Sequence, residues 1–241
     1  MFSVALIGAD GAGKTTTGQQ LLKDQTLPFK IKYIYMGLNP DASNITLPTT
    51  KLILRVKRAL GKSADSGGPP DPARSKRRSK NMVKRIISGT KSSLRLVNLL
   101  GEEWFRQGTF WYYNFRGYVV LFDRHFFIDH YAHDIVNTEP HRAYTSRIHG
   151  FLLNRFYPRP DLVILLDAPA QILLDRKGEG TVELLERRRQ EYWEIRDKVK
   201  HFEIVDSSQA QHVVTNQVIT LIKGFYLTQA GSTAKFGDIR L

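Results

Sequence analysis

No cysteine occurs anywhere in the 241 residues. That excludes disulfides, thiolate metal sites and a cysteine nucleophile. No apolar run approaches the length needed to span a bilayer, and no segment repeats at a fixed period. The first residues read as a short strand running straight into a loop, so no secretory leader is expected. A cytoplasmic location is the default, and the charge distribution leaves a membrane-peripheral one open. Acidic residues are outnumbered, with 23 Asp and Glu against 36 Lys and Arg, a formal net charge of +13. Nearly all of that excess lies between Lys51 and Arg95, where 14 Lys and Arg meet only Asp65 and Asp71, a balance of +12. A hydrophobic share of 41% can still fill a substantial core. The length suits one α/β domain with an insertion, or at most two small domains.

What is present is organised around Gly8-Ala9-Asp10-Gly11-Ala12-Gly13-Lys14-Thr15, which fits G-x-x-x-x-G-K-[ST]. The apolar run Phe2 to Ile7 precedes it and the helix-competent run Thr16 to Leu22 follows. A bare glycine-rich turn could carry the same letters. The strand before and the helix after are what select a phosphate site. Gly8, Gly11 and Gly13 let successive backbone N–H groups point inward, and the helix start adds its unpaired amides and dipole end. Lys14 supplies a mobile cation for the outer phosphates, and Thr15 offers a hydroxyl to a magnesium ion.

Ile31 to Met36 reads as a second buried strand, ended by the turn Gly37-Leu38-Asn39-Pro40. The basic segment then opens with a short helix in which Leu52, Leu54, Val56 and Leu60 lie among Lys51, Arg55, Lys57 and Arg58. A Ser-, Gly- and Pro-rich loop over 63–72 and the run Arg74-Ser75-Lys76-Arg77-Arg78-Ser79-Lys80 follow. Four readings are open: a solvated face, an anionic-membrane contact, a nucleic-acid contact, or a funnel for a phosphorylated acceptor. Interleaved aliphatics suit a membrane surface better than groove readout. The scarcity of aromatics argues against single-strand stacking, so nucleic acid is not the expected partner.

Leu94 to Phe115 reads as one long helix or two, with Trp104, Phe105, Trp111 and Tyr112 expected in the core and Arg106 on an edge as an anion contact. Gly117 to Phe122 is an apolar run ending in Asp123-Arg124-His125, as a buried parallel strand delivering a carboxylate to the sheet's carboxyl edge would. There Asp123 could organise Mg²⁺ and Arg124 could hold a phosphate, or the two could form a structural ion pair. Downstream, the spacings Asp129/His133 and His130/Asp134 each share a helical face. They allow a transition-metal site, or plain surface or acceptor-pocket polarity. A helix over 141–156, a strand over 160–169, a helix begun at Ile172 and interrupted at 176–180, a charged helix over 182–200, a strand over 202–206 and a last helix to about Ile222 complete the series. Residues 225–241 read as a loosely packed tail. Strands alternating with helices, with a phosphate loop after the first strand, predict an α/β fold with a doubly wound, five-stranded parallel sheet.

Gly11-Ala12-Gly13-Lys14-Thr15, Asp123-Arg124-His125-Phe126-Phe127, Pro160-Asp161-Leu162, Leu166-Asp167-Ala168-Pro169 and Val205-Asp206-Ser207-Ser208-Gln209 together resemble the thymidylate kinase family, in that order. The resemblance spans most of the chain outside 51–95 and the tail. It implies a P-loop nucleoside-monophosphate-kinase fold over 1–224 carrying a basic insertion at 51–95 and a mobile lid at 176–190. It also implies ATP- and Mg²⁺-dependent transfer to dTMP or another small acceptor, and a homodimer. By position, Gly8, Gly11, Ala12, Gly13, Lys14, Thr15 and Thr16 hold the ATP phosphates, and Thr15 and Asp123 the metal. Asp10 faces the transferred group, and Arg124 binds the acceptor's phosphate. Arg176 lies against the adenine, with Ser207, Ser208 and Gln209 bordering the base. Lys177, Arg187 and Arg188 are the candidate lid cations, with Arg187 taken as catalytic.

The departures sit at the acceptor. Where the family shows Asp-Arg-Tyr, then Ser-Ser and Ala-Tyr-Gln, this chain has His125, Ile128-Asp129 and Tyr131-Ala132-His133. The family's Arg-Glu-Pro is reduced to Leu38-Asn39-Pro40, and its Ala-Asp-Arg to Trp104-Phe105-Arg106. The donor half is intact and the acceptor half is rewritten. The reading from another class is a nucleotide-dependent switch or adaptor that contacts an anionic membrane or nucleic acid through residues 51–95.

Overall fold

The computed structural model describes residues 1–37, 43, 45–59, 82–136 and 143–237. The turn Leu38-Asn39-Pro40, the loop at 63–72 and the basic run at 74–80 lie outside them. Among the described residues the main elements follow in chain order. The first half holds β1 (Ser3–Ile7), α1 (Lys14–Lys23), β2 (Ile31–Tyr35), α2 (Pro48–Ala59), α3 (Met82–Phe115), β3 (Val119–Asp123) and α4 (Phe126–His130). A π-helical turn, Tyr131–Val136, leads to α5 (Tyr144–Phe156) and β4 (Leu162–Asp167). Then come α6 (Ala170–Lys177), α7 (Val182–Trp193), β5 (Phe202–Asp206) and α8 (Gln211–Gly237).

The five strands form one parallel sheet in the order β2-β3-β1-β4-β5. Strands β1 and β3 are buried at every position and β4 at all but its last. That is why they read as unbroken apolar runs rather than as an alternation: a parallel sheet is covered on both faces. Edge strand β5 keeps only Val205 buried. The register Leu6 with Asp123, and Asp167 with Asp206, brings the acidic ends of β3, β4 and β5 to the same carboxyl edge as the Gly8 loop. In open α/β sheets ligands bind at that edge.

The chain divides into two compact units. The first comprises Met1–Tyr33, Tyr113–Asp123 and the chain from Pro160 onward. Its core joins Val4 and Leu6 of β1, Leu121 of β3, Ile164 and Leu166 of β4, Leu21 of α1 and Val218 of α8. The last helix does not stop near Ile222 but runs to Gly237. Phe225 packs edge-on to Phe2 at 4.9 Å and Tyr226 lies 4.8 Å from Phe29, so the start of the expected tail is tied to the core.

The second unit comprises Ile34–Tyr112 and Arg124–Arg159. Its α3 begins at Met82, well before Leu94, and is buried along the stripe Glu102, Glu103, Arg106, Gln107 and Phe110. The expectation that its aromatics are core is corrected here: Trp104, Phe105, Trp111 and Tyr112 are 38–52% exposed. A helix buries one stripe, and on α3 four of the five buried residues just named are polar.

Candidate functional site

In the first unit the glycine-rich loop from Gly8 to Gly13 joins β1 to α1 through glycines at positive φ. Gly8 (φ 142°) and Gly11 (φ 89°) adopt backbone conformations closed to L side chains. A Cβ on Gly8 would strike the carbonyl of Leu166, and one on Gly11 would lie 2.5 Å from that of Leu173. Helix α1 starts from a left-handed Gly13 with no side-chain cap. Its leading amides are thereby left to whatever anion the loop receives. Lys14 is buried, and its Nζ donates to the carbonyls of Gly8 and Ala9 at 2.8 and 2.9 Å, which sets the ammonium over the loop. Ala12 closes the turn through its N–H to Ala9 O at 3.2 Å, and Thr16 is exposed in the first turn of α1.

Thr15 and Asp123, 108 residues apart in sequence, meet: Thr15 Oγ1 donates to Asp123 Oδ2 at 2.6 Å. Tyr33, which sequence reasoning missed, donates its hydroxyl to the same oxygen at 2.5 Å. The other oxygen, Asp123 Oδ1, is buried and has no hydrogen-bond partner among the described residues. A buried carboxylate oxygen without a donor is costly, and a cation beside it would remove that cost. The hydroxyl and carboxylate are hard oxygen donors that suit Mg²⁺. The residues present therefore fit such an ion.

Asp10 pairs with Lys177 at 3.4 Å, and Lys177 also reaches Glu179 at 3.1 Å. Arg176 donates to Ser207 O at 2.6 Å and Ser208 O at 3.1 Å. The end of α6 and the loop after β5 are thus joined, bringing together Arg176 and the Ser207–Gln209 stretch. That loop is shaped by Asp206, whose carboxylate accepts from Ser208 Oγ at 2.6 Å, Ser208 N at 2.9 Å and Gln209 Nε2 at 3.2 Å. The Ser208 hydroxyl, then its amide, then Gln209 hold the Asp206 carboxyl below its ordinary value.

On α7 the three consecutive arginines separate. Arg189, not among the expected site residues, clamps Asp167 through two bonds of 2.7 and 2.9 Å and pairs with Glu186 at 2.6 Å. The Asp167 bond raises its guanidinium pKa against a smaller opposing effect of burial. Arg187 is 43% exposed, and its contact with Glu191 is a long 3.9 Å. At about 100° per residue the three point in different directions, and the sequence alone does not say which faces the sheet.

The second unit holds the other expected residues. Arg124 has φ 67°, the lone non-glycine residue with positive φ among those described. Its Cδ lies where a Cβ on Gly37 would be 2.6 Å away. Such a backbone conformation costs of order 1 kcal/mol or more and persists where surroundings enforce it. His125 caps α4, its Nδ1 accepting from Phe127 N at 3.3 Å. Burial depresses its pKa to about 3, so it is a neutral cap. Arg106, expected as an anion contact, is buried and engaged by Glu102 at 2.9 Å and by Gly37 O at 2.7 Å. Of the two metal spacings, the second closes: His130 Nδ1 and Asp134 Oδ2 are 2.9 Å apart. Asp134 also meets His133 and His149. Burial alone would raise the Asp134 carboxyl, but the bonds from His130, His133 and His149 hold it far below the carboxylate range.

No family model matches the chain. A curated protein described as "Probable thymidylate kinase 1", from Saccharolobus solfataricus, is 31% identical to it over 78 residues. That match covers 30% of this chain and 41% of the relative, so the chain spans less than half of that protein's length. The finding supports a distant thymidylate-kinase-like relationship, coarser than membership of the family.

Proposed function

We propose that the protein is an ATP- and Mg²⁺-dependent kinase that transfers the γ-phosphoryl group to a small acceptor, with dTMP the first candidate. The observation that carries this reading is the node at the phosphate loop, where Thr15 and Tyr33 hold one oxygen of Asp123 and the other is left buried without a donor. Thr15 and Asp123 would hold the metal, which would supply neutralisation of the phosphates' charge. Lys14 and the loop amides would bind the phosphates, with Asp10 and Lys177 beside the transferred group. In the reaction the bond from the γ-phosphorus to the bridging oxygen breaks, the acceptor oxygen bonds to that phosphorus, and ADP leaves. The protein's part is positioning and charge stabilisation. Arg176 and the Ser207–Gln209 loop would frame the base, Arg124 would bind the acceptor's phosphate, and Arg187 would act from the lid. A homodimer belongs to the same proposal, and the exposed aromatics of α3 offer an apolar face for it.

The test is ADP release with ATP and Mg²⁺ across dTMP, the other nucleoside monophosphates and sugar phosphates. Lys14→Ala is the blank. Stimulation by dTMP, lost in Lys14→Ala, supports a thymidylate kinase. Stimulation by another acceptor alone supports the kinase and reassigns its substrate. A folded Lys14→Ala protein with full turnover sinks the mechanism.

A second reading has its own observation. Helix α2 exposes Leu52, Ile53 and Val56 beside Lys51, Arg55 and Arg58, in the segment that carries nearly all the excess charge. A nucleotide-dependent switch at an anionic membrane would use that face. It would show slow, acceptor-independent ATP hydrolysis and vesicle binding that changes with ATP.

A further inference from the structure

Three helices of the second unit deliver one ligating side chain each to a single buried point. Glu103 comes from α3, His130 from the last turn of α4 and His149 from α5. They are 0%, 3% and 2% exposed, and one potential ligand atom from each lies within 4.8 Å of the others. This convergence owes nothing to the nucleotide reading and stands or falls separately.

The hydrogen bonds around the three are those a metal site needs outside its ligands. Asp134 Oδ2 lies 2.9 Å from His130 Nδ1 and 2.7 Å from His149 Nδ1. A carboxylate only accepts, so both Nδ1 atoms carry protons, and a neutral ring then has its lone pair on Nε2. Those Nε2 atoms are the remaining donors. His149 Nε2 lies 3.1 and 3.2 Å from the two oxygens of Glu103. His130 Nε2 is buried with no hydrogen-bond partner among the described residues. Tyr157 completes the outer ring, its hydroxyl donating to Glu103 Oε2 at 2.7 Å.

An imidazolium at His149 bridging two carboxylates would account for that ring alone. It leaves the Nε2 of His130 buried and unpaired, which such a structural role has no use for. A dication among the three accounts for both histidines. Metal–ligand bonds of 2.0–2.1 Å in a tetrahedral arrangement separate neighbouring donor atoms by about 3.3 Å. The Glu103–His149 separation is already close to that. Two imidazoles with one carboxylate select zinc-class ions over Mg²⁺ or Ca²⁺, which prefer all-oxygen shells.

We propose that Glu103, His130 and His149 form a buried transition-metal site of the zinc class, with Asp134 and Tyr157 as its orienting outer shell. The ion would fasten α3, α4 and α5 together, and its fourth position falls to a water or to a nearby oxygen. The π-helical turn after α4 fits this role. It places His130 at the end of α4 and Asp134 four residues later, where one oxygen of the acid reaches both ligand rings, His130 and His149, and the other reaches His133.

The experiment uses the full-length protein, freed of any histidine tag and stripped with a chelator, titrated with Zn²⁺ against a chromophoric competitor. One Zn²⁺ per chain is expected. His130→Gln, which keeps a polar group near Asp134, should weaken binding at least 10-fold. Asp134→Asn should do so by about 10–100-fold. His212→Gln, at an exposed position, should change nothing. Substoichiometric binding in the wild type overturns the proposal, and so does binding that survives His130→Gln but is lost in His212→Gln. Should His130→Gln fail to fold by circular dichroism, Co²⁺ loading of the wild type decides. Intense visible bands of a four- or five-coordinate nitrogen–oxygen site support the assignment, and the pale spectrum of six-coordinate cobalt overturns it.

Discussion

Asp123 carries two kinds of bond at once, and the division of its oxygens makes its role testable. Oδ2 is saturated by Thr15 and Tyr33, whereas Oδ1 has no donor among the described residues. Asp123→Asn keeps the shape and an acceptor oxygen but removes the charge. It should lower Mg²⁺-dependent turnover by about 10²–10³-fold, the scale seen when one preorganised electrostatic group is lost. The thermal midpoint should hold or rise, because a buried charge has gone. A turnover loss matched by unfolding would mean that Asp123 is structural. His125 lends itself to a different measurement. Buried as a neutral cap, it has a folded pKa of about 3 against 6.5 for an unperturbed histidine. Between those values the unfolded chain binds more protons, so stability is complete above about pH 6.5 and declines as pH falls toward 3. The slope from this group approaches about 1.4 kcal/mol per pH unit. Asparagine caps helices without titrating in this range. Denaturant unfolding at pH 7 and pH 5 should therefore show a smaller acid loss in His125→Asn than in wild type.

Among the elements, α7 separates stability from turnover within three residues. Arg189 holds Asp167 by two short bonds, both side chains being no more than 20% exposed. Arg189→Ala leaves that carboxylate without its main partner, which should cost about 2 kcal/mol in chemical denaturation. Arg187→Ala acts on a side chain that is 43% exposed, with a long 3.9 Å contact to Glu191, and should shift stability by less than about 0.5 kcal/mol. If Arg187 is the lid cation, the same change should lower turnover by roughly 10³-fold or more. Equal effects on stability and turnover in both variants would remove Arg187 from the proposed chemistry. This pair also marks where the sequence stops being informative. Strands β1, β3 and β4 were legible because covered parallel strands are apolar throughout, and the loop after β1 because glycine spacing is a backbone requirement. Asp123 was legible as the acid that ends an apolar run. Tyr33 and Arg189 were not, since each depends on which way a residue faces after the chain is folded. The aromatics of α3 misled for a related reason. Hydrophobic content marks a core only when it lies on the buried stripe, and here Glu103 and Arg106 take that stripe. The Glu103–His130–His149 convergence joins positions 46 residues apart, and sequence spacing showed only the His130–Asp134 half of it.

For the molecule as a whole, the governing quantity is the distribution of charge. A net +13 with +12 between Lys51 and Arg95 leaves the remainder close to neutral. The excess charge thus belongs to a stretch of sequence separate from those that carry the phosphate loop, Asp123 and Arg189. Each excess Lys or Arg near an anionic bilayer contributes about 1 kcal/mol, and that attraction fades within a Debye length of about 8 Å at physiological salt. Removing residues 63–80 takes away five of the 14 basic residues and both acids, and leaves the described elements and the phosphate loop untouched. If the protein is a kinase whose insert only localises it, the shortened chain should keep turnover within about 2-fold of wild type. Its binding to phosphatidylserine-containing vesicles should fall by 10-fold or more, and the residual binding should depend less on salt. If the insert instead funnels a phosphorylated acceptor, the deletion should raise KM for that acceptor steeply at low salt and little at high salt, with kcat unchanged. A switch predicts a third pattern, in which ATP no longer alters vesicle binding and hydrolysis stays slow with every acceptor. Steady-state kinetics at two salt concentrations, run beside vesicle sedimentation with and without ATP, separate the three because each moves a different quantity.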